Sequence, residues 1–409
     1  MKELTPSLRW HYKLQGKAQA ISVNGNGREI VAAGEGGFIY HFNHEGRLLW
    51  KWAIGGFIRA IAIRGPWGEY IAAGSADKHL YLFNYCGKLL WKYKTNNCVW
   101  AVAMSKDAEY IACGSMDRHL YLLNREGKML WKQKVGESVW SVGISGDGEH
   151  IACGSDDGYV SLFNQRGDLL WRYPTQAGVW GVDITQEGKI LAAGSDDEHL
   201  YVFNLSGELS GKYNFGNRVR HVSIGYQGKY ILISTAEKYL SFLDSTGKEI
   251  LRYRINWPVT NFTVSEYGAG MAVTSGDYVY FFKLQGIIDF YNTVDNKISK
   301  SAFYLGTGAY GQALRECEQV LQEIPQHREA KRIREETLEA MRKDYYRAAH
   351  KLPEVFIIEG KFKEAEEYLH RLSGKTWAEK ARIISLYQAI LKKQPDNHRV
   401  VNYLKELEG

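Results

Sequence analysis

Gly34, Gly74, Gly114, Gly154 and Gly194 stand forty residues apart, and Ser234 and Thr274 continue the ladder. A second ladder, Trp10, Trp50, Trp91, Trp131 and Trp171, runs at nearly the same interval. Seven copies of one short phrase constrain this chain more than any other feature. Each copy is a supersecondary unit that cannot bury its apolar face alone, so the units must stack on one another.

Within the third copy, "VWAVAM" (99–104), "EYIACG" (109–114), "HLYLLN" (119–124) and "MLWKQK" (129–134) read as four short strands parted by turn-forming residues. Asn43, Asn84, Asn124, Asn164 and Asn204 are each followed three residues on by Gly. That spacing predicts a tight turn in which the amide bonds its own backbone and Gly takes the positive φ. The two middle strands are apolar on both faces, so they need a layer on each side. A lone four-stranded sheet has no such layers, whereas sheets standing face to face around a ring do: the arrangement is a β-propeller. The seventh copy, "VTNFTV" (259–264), "AGMAVTS" (269–275) and "DYVYFF" (277–282), lacks a fourth strand, and "LRWHYKL" (8–14) matches the missing phrase. The N-terminal strand is therefore expected to complete the last blade and hide two sheet edges.

The repeats resemble those of WD-repeat propellers and, in "GKLLWKYK", those of pyrroloquinoline-quinone-type (PQQ-like) propellers, over residues 8–284. Ser75 and Asp77, with their counterparts at 115 and 117, 155 and 157, and 195 and 197, match the WD-repeat Ser and turn Asp. The closing Trp-Asp pair and the Gly-His of that family are absent, so its hydrogen-bonded tetrad is not expected. Gly87 to Trp91 resembles the PQQ-like docking phrase, although Asn84 stands one residue too close to match its Asp.

After "FFKLQG" the apolar spacing becomes helical. Gly308, Tyr310, Ala313, Val320 and Pro325 resemble a tetratricopeptide repeat, and Gly360, Phe362, Ala365 and later Pro395 echo it. The resemblance implies helical hairpins in which Gly308 and Ala313 permit close approach, Tyr310 fills the gap and Pro325 ends a helix. Ile333, Leu338, Met341, Tyr345 and Ala348 form one apolar stripe. "GIIDFYNTV" (286–294) is too apolar for a loose linker, so the helices are expected to dock on the propeller. The expected fold is mainly β plus α: a seven-bladed β-propeller over residues 1–285, then a short tetratricopeptide-like α-helical hairpin array over 286–409.

Catalytic motifs are missing: there is no HExxH, no GxSxG and no phosphate-cradling loop. The Asp of each "GSxD" phrase lies too far from its counterparts to share a cation, which needs ligands at about 2.3–2.6 Å. His79, His119 and His199 share a slot with Phe38, Tyr159 and Tyr239, which marks it as a packing position. Five cysteines without a CxxC point to a reducing, cytoplasmic compartment. The net charge of +6 is small for this length, so nucleic acid has only weak support. No apolar run approaches the roughly 18 residues of a membrane span, and the start of the chain carries no secretory-type apolar segment.

One slot departs from packing logic. Near the start of each innermost strand stand Gln19, Arg59, Trp100, Trp140, Trp180, Arg220 and Thr260. In WD-type geometry this slot rims the channel mouth, so three adjacent blades would present Trp flanked by Arg. Arg218 and His221 are expected to add positive charge there, and Asp183 is the lone acid at its own register. Large aromatics beside Arg are the composition of an interface anchor, the bland alternative being rings that plug the channel. The expected partner-binding residues are Arg59, Trp100, Trp140, Trp180, Arg218, Arg220 and His221, with no catalytic residue, metal or cofactor. They suit a non-enzymatic scaffold holding protein partners on the propeller face and in the helical groove, within a multi-subunit assembly and away from membranes. The alternatives are a small molecule or PQQ-like chemistry in the channel, and single-stranded RNA on the Trp–Arg sector.

Overall fold

The computed structural model describes residues 5–347, 356–357, 360–371 and 377–408, apart from 66, 226, 236–237, 246, 256–257, 269 and 326. The chain divides into two compact units, Met1–Tyr291 and Asn292–Gly409.

The first unit is a ring of seven antiparallel sheets, each of four strands. Blade 3 has the strands Val99–Met104, Tyr110–Ser115, His119–Asn124 and Met129–Lys134, paired in sequence order. The last blade is completed from the other end of the chain. Ser7–Lys13 lies antiparallel to Tyr278–Lys283, with Trp10 opposite Phe281 and Tyr12 opposite Val279.

The hydrophobic core lies in the seams between neighbouring blades. Ala72, Leu80 and Leu82 of blade 2 meet Ile111, Cys113, Tyr121 and Leu123 of blade 3, and comparable clusters fill the neighbouring seams. Fully buried side chains of this size contribute about 1.5–3 kcal/mol each. Cys113 and Cys153 belong to this core, and burial pushes their thiols up, that of Cys153 to about 12.

Each Trp of the ladder latches onto the next blade. Trp91 lies against Gly127, where a Cβ would come within 2.8 Å of the indole, and its Nε1–H donates to the Arg125 carbonyl at 2.7 Å. Trp10, Trp50, Trp131 and Trp171 do the same to Gly46, Gly87, Gly167 and Gly207. The receiving turn is the Asn-x-x-Gly phrase: Asn124 Oδ1 accepts from the Lys128 amide at 2.8 Å and Gly127 has φ +82°. Blade 5 has Gly211 in the Trp slot, and Tyr213 covers Gly247 instead. Blade 6 has Leu251 there. Beyond it the third strand of blade 7 runs into helix α1 (Gln285–Gly306), whose Ile287 and Tyr291 are buried, Tyr291 stacking on Tyr230 at 6.0 Å.

Pairing corrects one slot of the repeat. Ala20 faces Ala33, whereas Ala60 faces Gly74, so Gly34 occupies the position of Ser75. The cause is one extra residue in the first turn of blade 2, between Arg64 and Tyr70.

The second unit holds the rest of α1 and, among the described residues, five further helices: α2 (Tyr310–Glu323), α3 (Arg328–Arg347), α4 (Phe362–Arg371), α5 (Trp377–Lys393) and α6 (His398–Glu408). Helix α2 packs on α3 and α5 on α6. Ala313, Cys317 and Val320 are buried on α2, and Leu314 clusters with Leu338 and Met341. Ile333 is buried too, while Ala348 and the Tyr345 side chain lie outside the described residues. Gly308 is not a close-approach glycine. A Cβ there would meet nothing within 4 Å, and its φ of +76° shows that the turn before α2 requires it. No helix among the described residues is long and apolar enough to cross a membrane.

Candidate binding site at the channel mouth

The innermost strands surround a cavity of about 580 Å³. Gln19, Arg59, Trp100, Trp140, Trp180, Arg220 and Thr260 all line it. The backbone explains why this slot points inward. In blades 1 to 6 the register shifts at this residue: Val99 faces Ser115 and Ala101 faces Gly114, leaving Trp100 as the extra member of a bulge. A bulge turns one side chain away from the sheet, here into the channel. Six bulges in register therefore build one rim.

Five of these side chains form a continuous arc. Trp140 and Trp180 stack with ring centroids 4.5 Å apart at 8°, and Trp100 meets Trp140 edge-on at 4.7 Å. Arg59 lies over Trp100 at 4.8 Å and Arg220 over Trp180 at 4.9 Å, so a guanidinium caps each end. All five are part-buried.

The ends differ in their partners. Arg220 Nε reaches Asp196 Oδ1 at 3.3 Å, and Arg218 reaches the other oxygen at 3.6 Å. Arg59 has no carboxylate in ion-pair range among the described residues, and its Nε and Trp140 Nε1 are buried donors without an acceptor. Arg218 lies outside the channel wall and is 58% exposed, so it supports the arc only through Asp196.

His221 does not add the positive charge expected of it. It lines the channel beside Arg220, and burial, aided by that cation, lowers its pKa to about 4. It is a neutral ring near pH 7.

The far end of the channel is held by charges. Asp183 is pushed up to about 6 by burial, against the pull of two backbone amides and of Arg64. Its Oδ2 accepts from Ile224 of the next blade at 2.8 Å and its Oδ1 from Ile184 at 2.9 Å. Ser22 and Ser223 occupy the same register and accept from Ile63 and Val264 of their next blades. Asp183 is thus an inter-blade tie. Lys106 of blade 3 and Glu266 of blade 7 meet at 3.0 Å, joining two blades that are not neighbours.

The "GSxD" acids are engaged by their own turns and by adjoining segments, Asp117 and Asp197 by the Asn96 and Gln176 amides and Asp157 by Arg172. Asp117 Oδ1 accepts from the His119 amide at 3.1 Å and Oδ2 from the Tyr121 hydroxyl at 2.6 Å. His119 turns its Nδ1 to the Asp117 carbonyl oxygen at 2.9 Å and lies against Tyr121. No cluster of three or more His, Cys, Asp or Glu able to hold a metal occurs among the described residues.

Family comparison finds two matches within the propeller. Residues 116–210 match the family described as outer membrane protein assembly factor BamB. The chain is a seven-bladed β-propeller with PQQ-like repeats. Residues 60–135 of this propeller also match the family described as lambda-carrageenase beta-propeller domain. The two matches lie within blades 2 to 5 and together span every Trp of the arc. No curated protein matches the chain.

Proposed function

We propose that this PQQ-like propeller is a non-enzymatic platform for protein partners, with the Arg59–Trp100–Trp140–Trp180–Arg220 arc as its principal contact. One observation carries this reading. Three aromatic rings and two guanidinium groups, the side chains that dominate binding energy at protein interfaces, are gathered at an open mouth and held rigid by stacking. Rigid anchors lose little rotamer freedom when a partner docks. A non-catalytic role is supported by the engagement of the channel acids, since both oxygens of Asp183 accept backbone amides and Glu266 pairs with Lys106. The helical unit, read as tetratricopeptide-like hairpins, is the second contact in this reading, so one chain can join two partners in a larger assembly. Five free cysteines suit a reducing, cytoplasmic setting.

The test is affinity purification of the intact protein at low salt, with identification of what comes along. Trp100→Ala/Trp140→Ala/Trp180→Ala is expected to lose that partner while its melting temperature stays within a few degrees of the parent. A partner that persists on the triple variant, or a collapse in its melting temperature, would sink the reading in favour of a structural plug. The cavity of about 580 Å³ supports a second reading, a small molecule held in the channel. An absorbance spectrum of native-purified protein with a band beyond that of its Trp and Tyr would favour it.

A further inference from the structure

The two ends of the arc are not equivalent. At one end Arg220 lies on Trp180 and pairs with Asp196, which Arg218 shares, from the loop between the second and third strands of blade 5. At the other end Arg59 lies between Trp100 and Phe57, 4.8 and 5.7 Å from their rings. The pairing register makes Glu35 the blade 1 counterpart of Asp196. Glu35 is held by Gln19, whose Nε2 donates to it at 3.1 Å, and it is not within ion-pair range of Arg59. The arc therefore contains a built-in example of a carboxylate on a Trp-stacked Arg, and a second such Arg lacking its carboxylate. Trp140 Nε1, also buried and without an acceptor, adds another donor two residues along the arc.

Around this donor-rich centre the loops joining second and third strands are acidic. Glu35, Asp77, Asp117, Asp156, Asp196 and Asp277 outweigh Lys78, Arg118 and Lys238. A polyphosphate chain would be repelled by that rim. A single carboxylate on a basic or neutral tip complements both the centre and the rim.

Resting on the reading of the arc as a protein contact, we propose that Arg59 receives the carboxylate of one acidic side chain carried on a basic segment of the partner. It would stand to Arg59 as Asp196 stands to Arg220, with the partner's flanking cations on the acidic loops. Arg59 is then the specificity-determining residue of the mouth.

The experiment uses the full-length protein and two capped peptides, Gly-Arg-Glu-Arg-Gly and its Gln counterpart, followed by Trp fluorescence and calorimetry. The Glu peptide is expected to bind at least about tenfold more tightly. Arg59→Gln should abolish that preference and Arg59→Lys should keep part of it, with both variants unfolding at the parent temperature. Equal affinity for the two peptides, or none for either, overturns the proposal. So does a preference that appears only in Glu35→Gln, which would make Glu35 the counter-ion of Arg59. Tighter binding of oligouridylate than of the Glu peptide overturns it in favour of a nucleic-acid surface. If the Trp triple variant loses its co-purifying partner while the peptides bind equally, the arc remains a protein contact and only the carboxylate assignment falls.

Discussion

Asp183 has the least conspicuous role among the channel residues and one of the clearest consequences. Its folded pKa of about 6 lies above the ordinary carboxylate value of 3.8, so the folded state binds its proton more tightly than the unfolded chain does. Stability contributed at this site is therefore greatest at and below about pH 4 and falls as the pH rises to about 6. Relative to Asp183→Asn, the parent should lose up to about 3 kcal/mol across that window, measured by urea denaturation at intervals of pH. Trp91 gives a second expectation. Trp91→Ala opens a seam and removes an indole hydrogen bond, at a cost of about 3 kcal/mol, whereas Trp67→Ala, 70% exposed, should stay within about 0.5 kcal/mol. The Trp latches were legible because five copies of one phrase could be compared within the chain. The work of Asp183 was not, because its partner is a backbone amide forty-one residues on, and amides are identical in every sequence. The neutral state of His221 was hidden for a related reason: burial beside Arg220 depends on a neighbouring blade wall.

At the scale of single strands, the outermost strand of every blade has one unpaired edge. In blade 2 the outward side chains of that strand are Leu90, Lys92 and Lys94, all exposed. Lysines on an open edge discourage pairing with another chain. Lys92→Val/Lys94→Val should therefore leave the fold intact but raise concentration-dependent association, measured by light scattering. Strand positions were read within a residue or so, since alternation and turn residues agree. The bulge that aims the arc was not read, because a register shift reflects pairing geometry and leaves no mark in composition. Gly308 shows the opposite error. Family spacing assigned it to helix contact, but the local backbone demands it for a left-handed turn.

For the whole molecule, closure of the ring depends on one strand. Ser7–Lys13 supplies the outer strand of blade 7 and, through Trp10, the latch onto blade 1. Deleting residues 1–15 should expose the edge of Tyr278–Lys283, lower the unfolding temperature and produce oligomers on size-exclusion chromatography. The number of blades and this closure followed from counting phrases, which makes the architecture the most legible level. The closing strand has a further consequence in time. It leaves the ribosome before the other strands of the ring, and its partner is the last of those strands to emerge. At about 5–20 residues per second it waits roughly 13–55 s for its mate. Through that interval a growing stack of blades has a bare flank, and the outward side chains Arg9, His11 and Lys13 travel on the strand that must stay unclaimed until the circle shuts.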